Sequence, residues 1–254
     1  ILNIILNVFS NLLKKIIFLK NNNISIIHCN DVRSNLIWIL VSFLSRTKHI
    51  WHHHSVPNKK NYSWLFIYFL SKNIVTVSEY SKLNFPNIIS SKVRVFPNIF
   101  EDRKIVFDTK SRIDFRKKYK IPQDKWVAGY IGRLATIKNL ELLVYSANIL
   151  INKNKLNDLL FVLIGSDEQN TKKKLRSLIN LYNLRNYFIF IDHIYEIEVA
   201  ICSLDCTLAP SLNDSFGRSV IEAMLLKVPV IASNLGAHKE IIIDSYNGLL
   251  FDNN

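Results

Sequence analysis

Residues 210–224 read PSLNDSFGRSVIEAM, and the order of residue types in that stretch decides the fold. The apolar run Cys206 to Leu208 before it reads as a buried strand, which Pro210 ends because proline has no N–H to give a ladder. Asp214 and Ser215 are residue types that accept from the open N–H groups of a first helical turn, so a helix is expected from Ser215 to Leu226. A second β-type run, Val228 to Ala232, follows at once. Strand, loop, helix and strand in this order form a parallel βαβ unit. A helix that opens just past the carboxyl end of a parallel strand presents N–H groups and a positive dipole end, which suits a phosphate. Gly217 in the expected first turn would let that phosphate come close. Glu222 stands further along the same helix among Val220, Ile221, Ala223 and Met224, where a carboxylate without partners is costly. Two adjacent ribose hydroxyls would satisfy both its oxygens; an ion pair or solvent exposure is the plainer alternative.

Upstream, the same alternation runs to the N-terminus. Trp126 to Ile131, Leu159 to Ile164 and Tyr187 to Ile191 read as further strands. Helices are expected from about Asn139, with Leu140, Leu143, Val144, Ala147 and Ile151 at helical spacing, over Thr171 to Leu181, and near Glu196 to Cys202. A first cycle contains strands at 24–29, 47–53, 73–77 and 93–96, with helices at 34–44 and 63–70 too apolar to be anything but core-facing. After Pro97-Asn98 the chain turns polar and basic through Lys120, which marks a domain boundary near residue 100. The expected class is α/β, with parallel sheets covered by helices in two domains, 1–100 and 101–254. All six glycines lie in the second of these, where Gly165 and Gly248 read as simple turns.

Composition narrows the partners. With 49% hydrophobic and 21% charged residues the chain can bury a substantial core, and its apolar runs are too short to cross a bilayer. The N-terminal stretch ILNIILNVFSNLLKKIIFLK lacks an early basic region and a small-residue cleavage site, so it reads as a helix packed on a domain. The net charge of +13 suits an anionic partner. Lys59-Lys60 and the Arg112 to Lys120 segment could hold the protein against an anionic membrane surface. No nucleic-acid motif is present, and a nucleic-acid partner is not expected. Three cysteines with no Cys-x-x-Cys pair exclude a disulfide framework and a zinc ribbon, which points to a reducing cytoplasm, at most at the inner face of the cell membrane.

A second motif, GYIGRLATIKNL at 129–140, places Arg133 just after Gly132 at a strand end and Lys138 near the next helix. Each cation alone reads as ordinary surface charge. Together they could neutralise a diphosphate through charge-assisted hydrogen bonds worth about 1.5–3 kcal/mol each. No Asp-x-Asp pair occurs to hold a divalent ion, and no metal or other cofactor is expected. His52, His53 and His54 are consecutive, so on a strand they point to opposite faces and cannot converge on one ion.

The set Gly132-Arg133-x4-Lys138, Asp214-x7-Glu222, PVIASNLGAHKEII and NGLLF resembles the retaining glycosyltransferases of the GT-B fold, and more narrowly the glycosyl transferases group 1, often called family 4. These blocks cover nearly all of 126–254. TVSEYSKLNF around Ser78, KVRVFPN around Asn98 and IWHHHS resemble segments of the family's first domain. The resemblance implies two Rossmann-like domains, an acceptor-side one at 1–100 and a nucleotide-sugar-binding one at 101–254. It implies a first domain truncated at its start and a missing C-terminal helix, hence a fragment that turns over poorly alone. It assigns Arg133 and Lys138 to a donor's diphosphate, Glu222 to its ribose, and the Ser215, Phe216 and Gly217 backbone with Gly132 to the surrounding cradle. Catalytic contacts to the donor sugar fall to Asp214, where the family has Glu, and to His54. The implied reaction transfers a hexose-type sugar, with retention and without metal, from a UDP- or GDP-sugar to a glycan or lipid-linked acceptor in bacterial surface polysaccharide or glycolipid synthesis. No enzyme nucleophile is implied. A GT-B nucleotide-sugar epimerase would share the diphosphate and ribose contacts. Asp192, Lys227 and Ala237 stand where the family often has glycine.

Overall fold

The computed structural model describes residues 2–58, 65–100 and 109–252. Lys59, Lys60, Ser63, Trp64 and the stretch 101–108, on which several of the expectations above fall, lie outside the described residues. The chain divides into two compact units, 1–99 and 100–254.

The first unit runs α1 (Leu2–Asn21), β1 (Ile26–Cys29), α2 (Val32–Ser45), β2 (Lys48–His53), α3 (Leu65–Leu70), β3 (Asn73–Thr76), α4 (Glu79–Leu83) and β4 (Val93–Val95). Its strands pair in parallel in the order β1-β2-β3-β4. Ile39, Trp51, Tyr68, Ile74, Phe85, Ile89 and Val93 form its core. The helix expected from Ser34 starts at Val32, because the Asp31 carboxylate accepts from the N–H groups of Arg33 and Ser34. The helix faces the core as expected, but with one side only. Asn35, Ile39, Val41 and Ser42 are buried, whereas Leu36, Ile37, Leu40, Phe43 and Leu44 are exposed. Apolar composition reports a helix's need for cover, and α1, α3, β1 and β2 cover only one side of α2. The N-terminal stretch is a helix packed on α2, and no described helix is long and apolar enough to cross a membrane.

The second unit runs α5 (Thr109–Lys118), β5 (Trp126–Ile131), α6 (Glu141–Ala147), β6 (Leu159–Ile164), α7 (Thr171–Leu181), β7 (Phe188–Ile191), α8 (Ile197–Cys202), β8 (Cys206–Ala209), α9 (Arg218–Leu225), β9 (Val230–Ser233), α10 (His238–Ile241) and β10 (Leu249–Phe251). The central strands show why their sequences are continuous apolar runs. Leu160, Val162 and Ile164 belong to the core under α5, α8 and α9, while Leu159, Phe161 and Leu163 belong to the core under α6 and α7. Both faces are covered, so every residue of β6 is buried. Two cations of the basic segment Arg112 to Lys120, Arg112 and Arg116, are structural. Arg116 is 1% exposed and pairs with Asp205 at 2.8 Å, and Arg112 reaches the other oxygen of Asp205 at 2.6 Å. Lys117, Lys118 and Lys120 remain exposed, with Lys118 paired to Glu196.

All strands of the second sheet are parallel, in the order β10-β9-β8-β5-β6-β7. From β5 the chain winds outward through β6 to β7, returns to place β8 beside β5, and winds the other way through β9 to β10. This is the doubly wound order in which the winding direction reverses between two adjacent strands. Right-handed crossovers then send the loops after β5 and β8 to opposite faces, and a crevice opens between them at the carboxyl edge.

Candidate active site

The two loops at that reversal carry most of the residues singled out from the sequence. The loop after β5 holds Gly132 and Arg133 and ends in a 3-10 turn over Thr136–Lys138; the loop after β8 holds residues 210–217. They are joined directly, since Leu212 N–H donates to the Ile137 carbonyl at 3.0 Å. The β5 loop is also stitched to the loop after β6, Leu134 N–H to Ser166 O at 2.8 Å and Glu168 N–H to Leu134 O at 2.9 Å. This stitching makes Gly165 more than the simple turn expected of it. A Cβ there would lie 1.9 Å from the Gly132 carbonyl oxygen, so the backbones can meet only because the side chain is absent.

Asp214 is the centre of the arrangement. Its Oδ2 accepts from Lys138 Nζ at 2.6 Å, with the two side chains 20% and 17% exposed. Its Oδ1 accepts from the N–H groups of Phe216 at 3.3 Å and Gly217 at 2.9 Å. Burial pushes the Asp214 pKa up, but the Lys138 charge and hydrogen bond outweigh it, with help from His238 and Phe216 N–H, and hold it at about 2. The helix start is therefore corrected. The Asp214 side chain closes a turn before the helix rather than capping it, Gly217 at φ 79° is the N-cap, and α9 begins at Arg218 instead of Ser215. The N–H groups of Phe216 and Gly217, expected to cradle a phosphate, are held by Asp214. Beside them, the Phe216 ring lies parallel to Phe100 at 6.1 Å.

Arg133 lies on the same loop as Lys138, exposed, and donates to both oxygens of Glu168 at 3.0 Å. An exposed pair of this kind is worth about 0–1 kcal/mol, so an incoming diphosphate would take the guanidinium over at little cost. Glu222 lies on α9 with its side chain 26% exposed and accepts from Arg218 at 3.3 Å. Burial raises its pKa, an effect that Arg218 only partly offsets. Direct contacts thus join Lys138, Asp214 and the Phe216-Gly217 turn. Arg133 and Glu222 have separate partners. Asp192 pairs with Lys172 at 2.7 Å, and Lys227 has a φ of 58°, the left-handed conformation that favours glycine.

His54 lies in the first unit, just past β2, exposed and stacked on His52 at 4.0 Å; His52 also stacks on His28 at 5.4 Å. His53 points the other way, edge-on to Phe85 at 5.3 Å. The alternation expected of a strand separates the three consecutive rings, and no metal-binding group of three or more His, Cys, Asp or Glu occurs among the described residues. Burial and the neighbouring imidazoles lower the His52 pKa to about 4.

Two residues of the site escaped the sequence reading. Glu168, the partner of Arg133, carries no local signal, because strand pairing brings its loop there. His238 is 1% exposed, with Nε2 4.0 Å from Asp214 Oδ2. Its sequence surroundings, Gly236-Ala237 before it and Lys239-Glu240 after it, carry no signal of burial.

Comparison with known proteins identifies the family. The profile of the family described as "Glycosyl transferases group 1" matches residues 111–254, more than half of the chain. The chain belongs to that family. Among glycosyl transferases of known role, it is 25% identical over 252 residues to the O-antigen biosynthesis glycosyltransferase WclY of Escherichia coli, covering 92% of this chain and 69% of WclY. It is 25% identical over 215 residues to the capsular polysaccharide biosynthesis glycosyltransferase CapM of Staphylococcus aureus, covering 76% of this chain and 53% of CapM. Among solved structures, Anabaena Alr3699/HepE, determined with UDP and glucose, superposes with a TM-score of 0.80 at 20% identity, covering 90% of this chain and 64% of that one. The chain thus spans about two thirds or less of these relatives. The α/β fold of parallel sheets in two units is the GT-B fold of this glycosyltransferase family.

Proposed function

We propose that the protein carrying this chain transfers a hexose from a nucleotide diphosphate sugar, a UDP-hexose in the first instance and a GDP-hexose as the variant to test, to a glycan or lipid-linked acceptor of a bacterial surface polysaccharide or glycolipid. The observation that carries this reading is the joining of the Arg133-Lys138 loop to the Asp214 loop at the point where the sheet reverses its winding. Two cations reach that edge, and each is held by a carboxylate that a diphosphate can replace. The UDP-glucose bound by HepE supports a uridine donor. In this reading Arg133 and Lys138 neutralise the diphosphate in place of a metal, and Glu222 accepts from the ribose hydroxyls. That contact relieves a carboxylate which burial disfavours in the charged form. Asp214 and His54 address the donor sugar. The leaving phosphate takes the acceptor's proton as the new bond forms on the same face of the sugar, which retains configuration and needs no enzyme nucleophile.

Calorimetric titration with UDP, GDP, UDP-glucose and GDP-mannose tests the reading. Arg133→Ala is expected to weaken diphosphates by about 10- to 100-fold while sparing uridine or guanosine. Glu222→Ala is expected to weaken nucleoside and nucleotide alike. Absence of binding by all four ligands would overturn the reading.

A further inference from the structure

His238 opens α10 beneath the Asp214 turn, and its hydrogen bonds define which nitrogen carries the proton. Ser233 Oγ donates to the Ser211 carbonyl at 2.6 Å, so that hydroxyl has no proton left to give His238. His238 Nδ1 stands 3.2 Å from Ser233 Oγ and 3.2 Å from the Ser233 carbonyl, both of which can only accept. Nδ1 is therefore the protonated nitrogen, and in the neutral ring Nε2 is a bare lone pair. That lone pair faces the Asp214 carboxylate at 4.0 Å. The ring cannot turn aside easily, since it is 1% exposed and Gly217 is packed over it, a Cβ at 217 falling 3.1 Å from His238 Cδ2. The charged groups facing the ring are Asp214 and, beyond it, Lys138; Lys239 and Glu240 on its own helix are exposed. While Lys138 holds Asp214 at 2.6 Å, the half-buried pair is neutral and the bare nitrogen is tolerated.

Ligand binding changes that balance. If Lys138 turns to a donor's diphosphate, Asp214 is left charged, largely buried and facing a lone pair, an arrangement that low-dielectric surroundings penalise heavily. One proton from solvent, bound at His238 Nε2, restores neutrality and creates a new ion pair. We infer that His238 is a positioning residue that takes up a proton when the nucleotide sugar draws Lys138 away from Asp214, so that donor binding and protonation are coupled through the Lys138–Asp214–His238 row. This rests on the donor-site reading above and adds to it a charge exchange that keeps Asp214 in place. Burial lowers the His238 pKa in the ligand-free protein, and the Asp214 charge opposes that effect, which is consistent with a neutral ring before binding and a charged one after it.

Calorimetry with UDP-glucose and GDP-mannose, whose diphosphates do not titrate near neutrality, measures this in buffers of different ionisation enthalpy. The wild-type chain is expected to take up a fraction of a proton approaching one per ligand bound at pH 7.5. Its affinity is expected to rise as pH falls, by at most about tenfold per unit for a single proton. His238→Gln and Asp214→Asn are each expected to abolish the uptake. Nitrogen-15 spectra of the wild-type imidazole make the test independent of how the variants fold, and Nε2 is expected to pass from unprotonated to protonated on saturation. Binding without buffer-dependent heat, unchanged uptake in His238→Gln, or an Nε2 that stays bare on saturation would each overturn the inference. Failure of both nucleotide sugars to bind would instead remove the donor-site reading beneath it.

Discussion

Asp214 shows how much one residue's meaning depends on what folds beside it. From the sequence it is an N-cap and a sugar contact; in the structure it closes a turn on Phe216 and Gly217 and neutralises Lys138. Its pKa is held at about 2, below an ordinary aspartate near 3.9, so the unfolded chain binds the proton more readily than the folded one. The stability this contributes is full above pH ~4 and is lost as pH falls toward ~2. Asp214→Asn is therefore expected to destabilise the chain by about 1.5–3 kcal/mol at neutral pH, the range for hydrogen bonds to charged groups. In urea unfolding the gap from wild type should stay constant from pH 7 down to about pH 4 and narrow below it. A gap that stays constant below that pH would show that the ionised pair is not its source. Arg133, Lys138, Gly217 and Glu222 were legible as candidates because cations after a strand-ending glycine and an acid in an apolar helix are unusual in sequence. Glu168 and His238 were not, since each becomes meaningful only when a distant loop arrives against it.

At the scale of elements, the periodicity of apolar residues located the second unit's strands closely, β5 and β6 at the residues expected. Both are long runs buried on two faces, and nothing competes with that reading. Boundaries moved where side chains intervene: Asp31 brings α2 forward, and the Asp214 turn delays α9. The stretch read as a basic boundary contains α5, which Arg112 and Arg116 fasten to Asp205 while Arg116 Nε also donates to the Ser203 carbonyl at 2.9 Å. Asp205 in turn accepts from Val127 N–H at 2.7 Å, at the start of β5. Asp205→Ala is expected to cost about 3–5 kcal/mol in chemical denaturation, because it strands the buried Arg116 charge. Glu196→Ala, which removes the exposed pair with Lys118, should leave the midpoint unmoved. Equal effects of the two substitutions would mean that burial of the α5 guanidinium is not what holds the helix.

Over the whole molecule, the second unit covers its central strands on both faces, whereas α2 leaves Leu36, Ile37, Leu40, Phe43 and Leu44 exposed in the first. An apolar patch of that kind promotes association. Sedimentation velocity across a concentration series is expected to show self-association of this chain, reduced by Ile37→Lys together with Leu44→Glu, at an unchanged melting temperature. Association insensitive to both substitutions would place its origin elsewhere. The sequence by itself determined the α/β class, the order of the strands along the chain and the loops bearing Arg133, Lys138 and Asp214, because apolar period, proline and glycine act over a few residues. Only the tertiary structure decided which strand neighbours which. The placing of β8 beside β5 brings Lys138 to Asp214 across 76 residues of chain and lays His238 beneath them. Such pairings depend on the closure of long loops around a shared core, and no local pattern encodes them.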